Sequence, residues 1–364
     1  MAQRSTEDTI QRVTSSALKV ASMMSSPIVL NTPEIGAGRF APTPTGRLHL
    51  GNVRTAFIAW LGARSSNLRT ILRIEDLDPK AIPKGCLEGV YDDLDWLGLD
   101  YDECPRLGGP VGPYRQSERF EQYDGILERL NRLGCLYPCW CSRKEVREAA
   151  IAPHASDEGP IYAGTCRPAQ FSPVKNLNDL PKKNGRTPAL RLSVDRAIEL
   201  QGSQTVTFTD AVAGPQTFDL RKSIGDFVVR RVDGVAAYQI ACAWDDLSMG
   251  CTQVLRGNDL LPSTVRQLLV IRLLNLPEPQ YGHVGLVLSA NGERMSKRDG
   301  ATAIEELRRT GTNPATVIRH LARMTGLPDT SDLDHLTDAF RICNLRQSYF
   351  QADVRTGSLG ENKR

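Results

Sequence analysis

From residue 38 onward the apolar positions change their period several times, and each change marks an element. "GRFAP" is a short apolar run that reads as a strand. In "LGNVRTAFIAWLGARS" the apolar residues recur at helical spacing, which predicts a helix from about Gly51, and "RTILRIED" reads as a second, buried strand. Helical patterns follow over residues 85–97 and 117–133. Strand, helix and strand with little between them predict a βαβ unit and a parallel sheet, so the fold class expected is α/β.

The rhythm breaks over residues 135–190, which hold four cysteines, several prolines and little periodicity; an inserted subdomain is expected there. Within it "SRKE", with Ser142 and Glu145, has the spacing of a capping box that opens a short helix. The alternating "VTFTDAVAGPQTFDL" predicts a hairpin. So does "DFVVRRVDGVAAYQIACAWDD", with Asp233-Gly234 as its turn. "TQVLRG" as a strand and a helix near residues 263–274 resume the α/β order, and two or three helices are expected between "GERMSKRDG" and Phe350. The divisions expected are an extension at 1–37, a first catalytic half at 38–134, an insert at 135–225, a second half at 226–300, a helical region at 301–350 and a tail at 351–364.

Composition narrows the class without choosing a function. The chain has 364 residues, 40% hydrophobic and 24% charged, with a formal charge of +3; this mild basic excess permits contact with nucleic acid but does not argue for it. No apolar run approaches the ~18 residues of a membrane-spanning helix. The Ser-, Thr- and Met-rich residues 1–37 read as a disordered extension or a start codon placed too early, with a signal peptide the weaker alternative. Nine cysteines are an odd number, and Cys135, Cys139, Cys141 and Cys166 cluster. That suits thiols and a metal site in a reducing, cytoplasmic compartment better than a disulfide framework.

Two stretches carry phosphate chemistry. In "RFAPTPTGRLHLGN" the prolines stiffen a glycine-containing turn that feeds a helix, so backbone N–H groups converge at the positive end of the helix dipole. His49 adds a donor, and Gly51 allows close approach to the backbone. Some 240 residues later "GERMSKRDG" sets Arg294, Lys297 and Arg298 on a glycine-flanked loop suited to a polyphosphate.

"LHLGN" after "APTPTG", followed far downstream by "RMSKR", resembles the two signature motifs of class I aminoacyl-tRNA synthetases. "RFAPTPTGRLHLGNVRTA", "RIEDLD", "AYQIACAWDD" and "VLRGNDLLPSTVRQ" are similar to the glutamyl-tRNA synthetase branch, and the likeness runs over residues 38–325. The first signature departs from the family's His-x-Gly-His form, with Asn52 in place of the second histidine. The resemblance implies a Rossmann-like, doubly wound parallel sheet with an inserted acceptor-type subdomain and a helical stem. It implies ATP, with Mg²⁺, at His49, Gly51, Asn52, Arg294, Ser296 and Lys297, and assigns His49 and Lys297 to catalysis. It implies L-glutamate at Arg39, Phe40, Ala41, Pro42, Thr43, Glu75, Tyr238 and Arg256. The residue types agree: Arg39 and Arg256 each offer a fork to a carboxylate, and Glu75 suits the α-ammonium.

Cys139-x-Cys141 with Cys166 about 25 residues on suits a tetrahedral zinc. Cys135 and His154 are the chemically usual fourth ligands; buried thiols without metal are the alternative. "YAGTC" resembles the Tyr-x-x-x-Cys half-site of the glutamyl-queuosine tRNA(Asp) synthetases, which implies Tyr162 as the fourth ligand of one structural Zn²⁺. About 65 residues follow "RMSKR", too few for stem helices and a whole anticodon-binding domain together. This too resembles the glutamyl-queuosine branch, whose partner is tRNA(Asp) carrying queuosine and whose expected form is a monomer. A shortened enzyme charging tRNA(Glu), or an inactive RNA-binding paralogue, are the competing readings.

Overall fold

A computed structural model of the chain describes residues 27–149, 160–288, 303–348 and 354–355. Its central sheet has four strands: β1 (Ala37–Phe40), β2 (Arg69–Leu72), β8 (Cys251–Gly257) and β9 (Gln280–Val284) in the order β2-β1-β8-β9, every pairing parallel. Parallel strands need crossovers, and helix α1 (Leu50–Ser65) supplies the one between β1 and β2.

The strands are buried on both faces, which is why they read as apolar runs. Successive residues of β8 show the division. Leu255 packs with Phe57, Leu61 and Leu72 in one core, and Val254 packs with Ile240, Val265 and Leu268 in another. Val265 and Leu268 belong to the helix Leu261–Leu273, and Ile240 to the helix Tyr238–Ser248. The first core also takes in Val317, Ile318 and Leu321 from the helix Pro314–Met324.

Helices α2 (Cys86–Leu97) and α3 (Phe120–Arg132) follow β2. Then a second, antiparallel sheet begins, with β3 (Leu136–Cys139), β4 (Ala189–Leu192) and β7 (Phe227–Arg230) in the order β3-β4-β7. Helix α4 (Arg143–Glu148) opens with the expected box: Ser142 Oγ accepts from the Glu145 N–H, and Glu145 accepts from the Ser142 N–H. Helix α5 (Val194–Gln201) precedes the expected hairpin of β5 (Thr205–Asp210) and β6 (Gly214–Asp219), which pairs from Thr205 with Asp219 to Asp210 with Gly214.

The second expected hairpin is corrected. The turn stands at Asp233-Gly234, where Gly234 has φ 88° and Arg231 N–H donates to Val235 at 2.8 Å, but the returning arm is one bridge, Arg230 to Ala236. From Tyr238 the chain is the helix α6 (Tyr238–Ser248). In "YQIACAWDDLS", Ile240, Ala243 and Leu247 fall on one helical face and fill the second core. The alternation of Ile240, Cys242 and Trp244 had imitated a strand. After α7 (Leu261–Leu273) and β9, four short helices are described where two or three were expected: α8 (Ile304–Arg309), α9 (Pro314–Met324), α10 (Leu333–Ala339) and α11 (Ile342–Ser348). Among the described residues, no helix is long and apolar enough to cross a membrane.

Candidate active site

The stiff turn entering α1 is a cap built from its own signature residues. His49 is the N-cap: its Nδ1 accepts from the backbone N–H of Gly51 at 3.2 Å and of Asn52 at 3.4 Å. Asn52 Oδ1 in turn accepts from the His49 N–H at 3.2 Å. This is a capping box with His in the serine position. It settles the ring's tautomer, since an Nδ1 that accepts leaves the neutral ring's proton on Nε2, as a donor. It also gives Gly51 a reason the sequence did not suggest. A Cβ there would stand 3.1 Å from His49 Cε1, so the glycine first makes room for the capping ring.

This cap lies on the wall of a cavity of about 480 Å³. Arg39, Phe40, Ala41, Pro42 and Thr43 line it from the end of β1, and His49, Gly51 and Asn52 line it from the start of α1. Glu75, after β2, Tyr238, at the start of α6, and Arg256, on β8, also line it, together with Arg47, Arg54 and Asp259. Strand ends of a parallel sheet, meeting a helix N-terminus, are where such folds open a crevice. The volume falls in the range of ligand sites.

The predicted residues Arg294, Ser296 and Lys297 lie outside the described residues, as does His154. The chain re-enters the description beside His49: Ala303 forms an antiparallel bridge with it, and the Ile304 N–H donates to Leu48 at 2.9 Å. The segment following "RMSKR" therefore returns to the first signature.

Behind the lining residues Arg39 and Glu75 lie buried charges that sequence reasoning missed. Asp246, fully buried on α6, receives Arg39 Nε at 3.1 Å and Arg73 Nη1 at 2.7 Å, and Arg73 Nη2 donates to Glu75 at 3.0 Å. Next to it Asp245 takes Arg119 Nε at 2.6 Å and Tyr123 Oη at 2.9 Å. Arg73 and the Asp245-Asp246 pair sit inside the quoted "RIED" and "AWDD". The available signal was two adjacent acids on a helix that is otherwise Ala-rich and apolar.

Both expected carboxylate forks are partly occupied. The Nε and Nη2 edge of Arg39 faces Asp246. Arg256 donates from Nε to His283 at 3.2 Å and from Nη2 to Thr264 at 2.6 Å and Gln267 at 2.8 Å. Arg256 Nη1 also lies 3.9 Å from Cys242 Sγ, so both guanidinium groups are held in place before any carboxylate arrives.

Burial penalises every charge here, and the partners decide the outcome. For Asp246, burial opposes ionisation, but Arg39 and Arg73 outweigh it and hold the carboxyl below its ordinary range. For Glu75 burial wins over Arg73 and Arg39, and its pKa stands above the ordinary value. Burial also drives Tyr238 well up and pushes the Cys242 thiol to about 12, so both stay neutral near pH 7.

The cysteine cluster forms a second constellation. The sulfurs of Cys139, Cys141 and Cys166 lie within 4.8 Å of one another. Tyr162 Oη is 3.4 Å from Cys139 Sγ and 3.5 Å from Cys141 Sγ, and accepts from the Cys166 N–H at 2.7 Å. Three thiols and a phenol oxygen at mutual contact are a donor set that fits one tetrahedral, sulfur-preferring ion. Cys135 does not join them; it is fully buried in the helix–strand core, with Sγ towards Leu133 O.

The sequence model of the class I tRNA synthetases for glutamate and glutamine, catalytic domain, matches residues 37–343. The chain belongs to this family. Among its relatives, the glutamyl-Q tRNA(Asp) synthetase of Symbiobacterium thermophilum is 49% identical over 293 residues, 80% of this chain and 87% of the relative. Glutamate–tRNA ligase 2 of Alkalilimnicola ehrlichii is 42% identical over 316 residues, 85% of this chain and 64% of that one. The crystal structure of glutamate–tRNA synthetase from Elizabethkingia anophelis superposes with a TM-score of 0.72 at 26% identity, over 89% of this chain and 68% of that chain. As a member of the class I synthetases, the chain is a ligase-type enzyme with an α/β, parallel-sheet catalytic fold.

Proposed function

We propose that the protein activates L-glutamate with ATP, without needing tRNA, and then transfers the glutamyl group to queuosine at the anticodon wobble position of tRNA(Asp). The observation that carries the first step is the convergence of Arg39, Glu75, Tyr238 and Arg256 on one cavity, beside a helix N-terminus capped by His49. The second step is supported by the names of two relatives, both glutamyl-Q tRNA(Asp) synthetases, at 49% and 45% identity. The Tyr162-containing sulfur cluster agrees with it.

In this reading Glu75 holds the α-ammonium, Arg39 and Arg256 meet the two carboxylates, and Phe40, Ala41, Pro42, Thr43 and Tyr238 shape the walls. Donors built for a carboxylate are left mispaired against a glutamine amide, which discriminates. ATP, with Mg²⁺, takes its phosphates to His49 Nε2–H, Gly51, Asn52, Arg294, Ser296 and Lys297. A glutamate carboxylate oxygen attacks the α-phosphorus in line. The new O–P bond forms as the bond to pyrophosphate breaks, and His49 and Lys297 stabilise the charge that builds up.

Cys139, Cys141, Tyr162 and Cys166 would hold one Zn²⁺, which when bound crosslinks an insert poor in regular structure. The C-terminal helices serve as the stem, in a cytoplasmic monomer whose insert extends through β7, since β7 pairs with β4. Glutamate-dependent ATP–pyrophosphate exchange in the absence of RNA tests the activation step. Exchange with glutamate alone is expected. Exchange that requires tRNA(Glu) would instead favour a shortened glutamate–tRNA ligase, and no exchange at all would remove the enzyme reading.

A further inference from the structure

Arg256 and His283 are direct neighbours in the parallel pairing of β8 with β9, and both are buried. Arginine has five N–H donors and no acceptor. Arg256 Nε–H points at His283 Nε2 from 3.2 Å, and Thr264 Oγ1, which accepts from Arg256 Nη2, lies 2.8 Å from the same nitrogen; the guanidinium N–H can only donate, whereas the hydroxyl can turn its own proton to Nε2 or to Leu260 O, so Nε2 offers its lone pair. The ring proton then belongs on Nδ1, and there Asp210 Oδ2 waits at 2.6 Å. The other oxygen of the same carboxylate, Oδ1, accepts three backbone N–H groups: Val212 at 2.9 Å, Ala213 at 2.7 Å and His283 itself at 3.1 Å. Asp210 closes β5, so the β5–β6 hairpin, docked on β9 through Ala211 N–H to Tyr281 O at 2.7 Å, delivers this carboxylate to the back of the sheet.

We infer that Asp210 and His283 are positioning residues for Arg256: the carboxylate selects the ring tautomer that can receive Arg256 Nε–H, and so sets the affinity of the site for its acidic amino acid. Neither residue lines the cavity, and both act through the guanidinium. Burial holds His283 below its ordinary pKa and so keeps the ring neutral, as the arrangement requires. The inference rests on the reading of Arg256 as a glutamate-binding residue.

Asp210→Asn tests it with little change of shape. The three backbone donors at Oδ1 compel the new amide to turn its NH₂ towards Nδ1, which drives the ring proton to Nε2, against Arg256 Nε–H; reversal of a buried tautomer by this kind of exchange is known to cripple a catalytic histidine. The expected result is a glutamate KM raised roughly tenfold or more in pyrophosphate exchange, with the ATP KM unchanged. ¹⁵N shifts of labelled histidine should move from the Nδ1–H to the Nε2–H form.

His283→Gln, which can present Oε1 near the Nε2 position, should raise the glutamate KM less. Adding Asp210→Asn to it should cost nothing further, because no ring remains to flip. A flipped tautomer with an unchanged glutamate KM would overturn the inference, and so would an Nε2–H ring in the unaltered protein. That second measurement decides the matter if Asp210→Asn fails to fold. Arg256→Lys separates the two claims: should it leave the glutamate KM unchanged, the reading of Arg256 fails, whereas a raised KM in Arg256→Lys alone sinks only the relay.

Discussion

Asp246→Asn probes the buried charges on which the candidate glutamate site stands. The substitution keeps the volume and removes one negative charge lying between Arg73, at 2.7 Å, and Arg39, at 3.1 Å. The shorter contact corresponds to about 6 kcal/mol and the longer to about 5 kcal/mol of attraction at an effective dielectric near 20. Most of that is offset by desolvation, and breaking a buried pair costs a net ~3–5 kcal/mol. The two arginines are not equally exposed to the loss. Arg73 retains Glu75 at 3.0 Å and Asp245 at 3.8 Å, whereas Asp246 is the carboxylate that pairs with Arg39 among the described residues. Arg39 is therefore the group that shifts.

Denaturant unfolding should show a loss of about 3–5 kcal/mol. Pyrophosphate exchange should show a glutamate KM up by roughly tenfold or more, with the ATP KM little changed, because the loss falls on substrate binding by one residue. Asp95→Asn is the control. Asp95 meets Arg106 at 3.2 Å on the surface, and such pairs are worth about 0–1 kcal/mol. If Asp246→Asn behaved like Asp95→Asn in both assays, the reasoning about Arg39 would be wrong.

Glu75 gives a pH prediction with a definite sign. Burial raises its pKa, so protonation begins above the ordinary carboxylate range as pH falls, and the glutamate KM should climb there; Glu75→Gln should abolish that limb. The same shift means that ionising Glu75 costs stability, a contribution present below the ordinary pKa and lost as pH rises through the folded-state value. Glu75→Gln should therefore melt no lower than the unaltered protein at pH 7 while binding glutamate worse. Lys297→Ala should slow adenylate formation by roughly 10²–10³-fold, as removal of one transition-state donor does, with an unchanged melting temperature. Metal analysis should find one zinc per chain, and Cys139→Ser should lose it and lower the melting temperature; a metal-free native protein with full activity would refute the site.

Much of the α/β framework was legible because its signals are local. The β1–α1–β2 unit, the capping box at Ser142 and the β5–β6 hairpin each follow from spacing within a few residues. The strand predicted after Asp233-Gly234 failed because Ile240, Cys242 and Trp244 alternate by chance, while the packing against α7 that selects the helix is non-local. The candidate pocket was legible as a set of motifs, but its support was not. Nothing local links Arg39 to Asp246, 207 positions away, or Asp210 to His283, 73 away. Such partners become visible only when the sheet brings β1, β8 and β9 side by side.

The central claim is that glutamate, once activated, goes to a base in the anticodon loop. Its most direct test is the fate of radiolabelled glutamate offered, with ATP, to queuosine-bearing tRNA(Asp) lacking the terminal 3′ adenosine and, in parallel, to intact tRNA(Glu). Label on the shortened tRNA(Asp), none on tRNA(Glu), and none on tRNA(Asp) without queuosine is the result expected. Label confined to intact tRNA(Glu) would contradict the account.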